Sequence, residues 1–144
     1  MITPISLNKI KEQIKQIIDS IESIANLPPD KSIDLQVFRQ AEKSLKNILF
    51  RLQFALLQAE EEEEEEEENW GFVDILSEAI EQCQDALNAV RAAMFTQVLI
   101  RPDHDQIIAE LQNIKRDIDA AIKAEKVLNF LISLARVVIR FAGV

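Results

Sequence analysis

Tyrosine is absent from this 144-residue chain, and cysteine, histidine and tryptophan occur once each. These shortages exclude several classes of chemistry. A single cysteine, Cys83, permits no intrachain disulfide, so nothing points to an oxidising compartment. One cysteine and one histidine cannot complete a zinc site from nitrogen and sulfur ligands. A di-iron bundle needs a Glu-x-x-His pair on each of two helices, and His104 is the lone histidine. It follows Pro102-Asp103, where a solvent-exposed helix start accounts for it. Ser20, Ser23, Ser77 and Ser133 have no histidine near them in sequence, so no nucleophile–base pair is legible. With only two glycines there is no phosphate-cradling loop. No catalytic residue, metal ligand or cofactor is expected.

Clustered cations are also missing. Lys9, Lys11 and Lys15 alternate with Glu12 and Asp19, a mixture that cannot displace counterions from nucleic acid. The net charge of −9 has one source: Glu60 to Glu68 is an unbroken run of nine glutamates, and the other sixteen acidic residues are balanced by sixteen basic ones. A uniform run encodes no geometry, so it reads as a solvated acidic connector over 60–68. As alternatives it would dock a basic partner or attract divalent cations weakly. The start, Met1-Ile2-Thr3-Pro4, has no basic patch before an apolar core, so no secretory leader is expected and residence is read as cytoplasmic.

What the chain has in abundance is helical periodicity. Leu7, Ile10, Ile14, Ile17, Ile21 and Ile24 step by three and four, as do Ile107, Leu111, Ile114, Ile118 and Ala121, followed by Leu128, Ile132, Ala135 and Ile139. Such steps put one apolar side chain per turn on one helix face, the seam of helices packed at a shallow angle. The predicted core comprises Ile14, Ile17, Ile21, Leu45, Ile48, Leu52, Ile80, Leu87, Val90, Leu111, Ile114 and Ile118, and Cys83 falls on the apolar face of its helix. Glu125 is the polar exception on the last seam and reads as a position near solvent.

Punctuation divides the periodic stretches. Thr3-Pro4 starts a helix, Leu27-Pro28-Pro29 ends it, Ser32 or Asp34 starts the next, and Arg101-Pro102 separates the last two. Asp103 with Gln106 forms a capping-box pair, and Gly143 is a stop. The predicted helices are about 4–26, 32–60, 70–100 and 103–142, with lengths of roughly 30, 42, 43 and 60 Å at 1.5 Å per residue. The second should fray within the glutamates, where like charges and the helix dipole both oppose it. Short connections imply one domain over 1–144, an all-α, four-helix up-down-up-down bundle with an overlong C-terminal helix.

The surplus of that last helix carries the functional expectation. From Val127 to Ala142 its polar side chains are Asn129, Ser133, Arg136 and Arg140, one narrow stripe in an otherwise apolar circumference. Phe50, Phe54 and Leu57 form a second apolar stripe, off the Ile48/Leu52/Ala55 seam of the second helix and, in that topology, at the same end. Extra apolar surface on two helices at one end implies a wider core there, an oligomer interface or a membrane contact. Phe50, Phe54, Leu57, Leu131, Leu134, Val138, Arg136 and Arg140 are the expected interaction surface, and the apolar area is expected to be covered by protein, within the chain or across a dimer. The expected role is a noncatalytic interaction or oligomerisation module, binding itself or another protein through the end of the C-terminal helix, with no nucleic acid. The alternative is association with a membrane surface through the basic amphipathic C-terminal helix. Spanning a membrane is disfavoured by the arginines.

Overall fold

A computed structural model describes residues 4–25, 35–62, 69–96 and 104–142. Among them are five helices and no strand: α1 (Pro4–Ala25), α2 (Leu35–Glu62), α3 (Asn69–Thr96), α4 (His104–Ile118) and α5 (Ala124–Phe141). The first three match the periodic blocks. Pro4 opens α1 as expected, whereas Pro28, Pro29, Pro102, Gly143 and residues 63–68 of the acidic connector lie outside the described residues.

The expected overlong fourth helix is two helices. At its end α4 tightens: the amides of Ala120 and Ala121 donate to the carbonyls of Asp117 and Ile118 at 3.2 and 3.1 Å. The chain is then extended at Lys123 (φ −80°, ψ 138°), whose carbonyl accepts the first bonds of α5 from Lys126 and Val127. Ala121 is buried within this turn, while Ile122 is turned into solvent. Neither glycine nor proline marks the break, and alanine is the best helix former, so local propensity opposes it. Charge favours it. Lys115 and Arg116 occupy the last turn of α4 and Glu125 the first turn of α5, each complementing a helix-end dipole. Glu125 is exposed, in accord with the solvent reading of that seam position, because the seam has ended there.

Packing supplies what propensity does not. α1 packs on α2, α2 on α3, α3 on α5, and α5 back on α1, and neither diagonal pair approaches among the described residues. These four form a closed ring around the core. α4 is laid outside the ring against α1 and α5. The expectation of four antiparallel helices is thus corrected: the position assigned to one long last helix belongs to α5, and α4 is a fifth element.

Each helix's apolar width follows from its place. α4 contributes only a narrow seam, Ile107, Leu111, Ile114 and Ile118. α5, with neighbours on three sides, buries Val127, Leu128, Leu131, Ile132, Leu134, Ala135, Val137, Val138 and Phe141. At about 25 cal/mol per Å² of apolar surface, exposing such a face would be strongly unfavourable, and folding back covers it. α3, packed between α2 and α5, buries mostly small side chains, with Ala79, Cys83, Ala86, Ala89 and Ala93 all in the core. Of the predicted seam residues, Ile80 alone is half-buried; the rest are in the core.

On the surface, Lys15 of α1 pairs with Asp119 and Lys115 with Asp19, the latter at 2.6 Å. The partners run in opposite chain order, so α4 lies antiparallel to α1. The hydrogen bond to Asp19 pushes the Lys115 ammonium's pKa up, although exposure keeps such pairs worth little.

Candidate interaction surface

The predicted surface residues separate into two groups. Leu131, Leu134 and Val138 are completely buried in the ring, so they form no outer surface; of the two coverings expected for this apolar area, within the chain or across a dimer, the first is the one seen. Arg136 and Arg140 do face outward, with Asn129 and Ser133 beside them, as the polar stripe requires. Arg136 Nη2 donates to Glu78 Oε1 of α3 at 3.2 Å, and Arg140 pairs with Glu110 of α4. These two ion pairs flank α5 and tie it to its neighbours.

Phe50, Phe54 and Leu57 remain outside, 71%, 57% and 60% exposed. Their position follows from helix geometry. α2 buries Phe38, Ala41, Leu45, Ile48, Leu52 and Ala55 between α1 and α3. Two residues past Ile48 and Leu52, Phe50 and Phe54 are turned about 200° from that seam. Leu57 continues the row by one helical step. Scattered exposed apolar residues are ordinary, but three large ones in line on one helix are a patch. A shallow groove of about 410 Å³ runs along it, lined by Asn47, Phe50, Arg51 and Phe54.

Charge is distributed unevenly along this face. Before the patch come Arg39, Lys43 and Lys46, all exposed, and half-buried Arg51 lies beside it. Lys43 and Lys46 enter no ion pair among the described residues. The acid in this stretch, Glu42, is held by Arg91 of α3 at 3.0 Å. After the patch comes Glu60, the first of the nine glutamates, with α2 continuing to Glu62. The described side chains of the outer face therefore read basic, then apolar, along the helix.

The other grooves are different in kind. One, of about 490 Å³ between α1 and α2, is lined mainly by polar residues, and its serines already have acceptors, with Ser44 Oγ donating across it to Gln16 Oε1 at 3.5 Å. Ser20 Oγ donates to the Gln16 carbonyl and Ser23 Oγ to the Asp19 carbonyl, both at 2.9 Å. Another, of about 680 Å³ along α4 and α5, is walled by the paired Arg136 and Arg140. Cys83 is buried as expected, and desolvation pushes its thiol up to about 12, so no nucleophilic thiolate forms there. Among the described residues no three of His, Cys, Asp and Glu gather as a metal site, and no helix is long and apolar enough to cross a membrane. The side chains of Trp70 and His104 lie outside the described residues.

No family model, curated protein or solved structure matches this chain. The functional reading therefore rests on the surface itself.

Proposed function

We propose that this protein is a noncatalytic helical bundle that acts as an interaction module, and that its docking face is the outer side of α2. One observation carries the reading: Phe50, Phe54 and Leu57 stand in line on a single helix and stay mostly exposed while Phe38, Leu45, Ile48 and Leu52 on its inner face are buried. The desolvation of such a row on contact with a partner is a favourable term of about 25 cal/mol per Å². The membrane-surface alternative depended on the apolar side of the C-terminal segment, and Leu131, Leu134 and Val138 are occupied in the core. Insertion by α5 would require opening the ring.

The test compares three full-length proteins by cross-linking in their native cells: wild type, Phe50→Ser/Phe54→Ser, and Arg136→Glu/Arg140→Glu. The docking reading expects the phenylalanine variant to lose cross-linked partners and the arginine variant to keep them. Unchanged partners in the phenylalanine variant would refute it. Flotation with anionic vesicles that depends on the arginines would favour the membrane reading instead.

A further inference from the structure

The turn between α4 and α5 interrupts a stretch that is built to be helix. Residues 119–123 contain neither glycine nor proline, and Ala120 and Ala121 are the best of helix formers. Made helical, the turn would join α4 and α5 into one rod over 104–141, about 57 Å long at 1.5 Å per residue. Ile122, which the fold leaves 85% exposed, is one step of four beyond Ile118 and would rejoin the α4 seam. Straightening draws α5 out of its own ring, and its broad apolar face, with Leu128, Leu131, Ala135 and Val138, cannot remain in water. The ring itself shows what receives that face. The place between α3 and α1 fits α5, whichever copy supplies it. Only the 119–123 turn joins α5 to the other described helices, so one opened turn releases it.

We propose that this protein pairs with a second copy of itself by exchanging α5, each set of α1 to α4 closing on the other copy's α5 while both 119–123 turns become helical. Every contact of the closed ring is reused, with Arg136 meeting Glu78 and Arg140 meeting Glu110 across the two copies. Glu110 and Arg140 pair although both lie far from the turn, so α4 and α5 run antiparallel, and the two rods do the same. The residue midway between them, Glu125, then falls near the two-fold axis and faces its counterpart. It is the one charge on the seam that opposes exchange. In the closed form the same carboxylate complements the dipole at the start of α5. Glu125 therefore holds the protein toward the closed monomer. Concentration sets the balance. A tethered helix docks within its own chain at an effective concentration on the order of 1 mM, so the closed hairpin prevails in dilute solution and exchange appears as the protein nears that value.

The test refolds the full chain, carrying Cys83→Ala, Glu110→Cys and Arg140→Cys, from urea at about 0.01 mM and about 1 mM protein, which reach from well below that effective concentration up to it. Both samples are then diluted alike and treated with a short bismaleimide. In the closed monomer positions 110 and 140 are linked within one chain, and in the exchanged dimer they link two chains, which a denaturing gel separates. Single chains are expected from the dilute refolding and linked pairs from the concentrated one. Glu125→Leu should raise the linked fraction severalfold. Ala124→Pro should lower it by about tenfold or more, because proline breaks a helix that runs through position 124. The closed form accepts that proline, since Lys123 is already extended and position 124 opens α5. Circular dichroism verifies that each variant stays helical. An absence of linked pairs from the concentrated refolding of both the parent and Glu125→Leu overturns the exchange. So do linked pairs indifferent to Ala124→Pro, or a dimer whose links stay within single chains. The outer face of α2 takes no part in these contacts, so the docking reading stands or falls separately.

Discussion

Leu131 and Leu57 are chemically identical side chains in opposite environments, which makes them the sharpest internal comparison. Leu131 of α5 is fully buried, and Leu57 of α2 is 60% exposed. Truncating Leu131 to alanine removes buried methyl groups and leaves a cavity, at a cost of about 2–5 kcal/mol. The same truncation at Leu57 removes atoms that already touch water and should cost within about 0.5 kcal/mol. Urea unfolding followed by helical circular dichroism measures both. With a slope of about 2 kcal/mol per molar, typical of a domain this size, Leu131→Ala should lower the midpoint by about 1–2.5 M. Leu57→Ala should move it by less than about 0.3 M. Equal shifts would mean that α5 is not a core helix, and the account of the ring would fail.

Two further predictions concern Cys83 and the arginines of α5. The Cys83 thiol is raised from about 9.0 in the unfolded chain to about 12 in the fold, so its contribution to stability is complete below pH 9 and is lost as pH rises toward 12. Urea midpoints of the wild type should therefore fall more steeply between about pH 8.5 and about pH 10.5, a window that spans the ordinary thiol value, than those of Cys83→Ala, and parallel curves would contradict the burial. Arg136→Glu with Arg140→Glu breaks two exposed ion pairs and sets like charges against Glu78 and Glu110, so a loss of roughly 1–2 kcal/mol that shrinks in high salt is expected in the same unfolding assay.

Helix class, the first three helices and nearly all of the core were legible because apolar spacing and proline punctuation report them directly. Leu7 to Ile24 and Phe38 to Ala55 are seams in the sequence and seams in the fold. The break between α4 and α5 was not read, for a physical reason. Ala120 and Ala121 favour continued helix, and the spacing from Ala121 to Leu128 keeps the phase of the seam. Three signals were nevertheless present: Glu125 on the seam, cations just before the break with an anion just after it, and the change from a narrow to a broad apolar face. Together they mark a helix end followed by a helix with more neighbours. Coverage of Leu131, Leu134 and Val138 was legible in the breadth of the apolar face, but whether the cover lies within the chain or across a dimer depends on the break, which folds α5 back into the ring. Phe50, Phe54 and Leu57 were legible because their departure from the seam depends only on the geometry of α2. What such a stripe binds depends on a second surface, and the spacing within one helix contains no information about it.

The hairpin of α4 and α5 is the claim on which the rest depends, because it fills the core and leaves α2 as the exposed apolar face. Spin labels at Glu110→Cys and Arg140→Cys, in a Cys83→Ala background, measure it most directly. These residues form an ion pair across the two helices, so the labels should show strong short-range dipolar broadening. A continuous helix through residues 119–123 would instead hold positions 110 and 140 about 45 Å apart, thirty residues at 1.5 Å each. A distance near that value would contradict the fold and the placement of the interaction surface together.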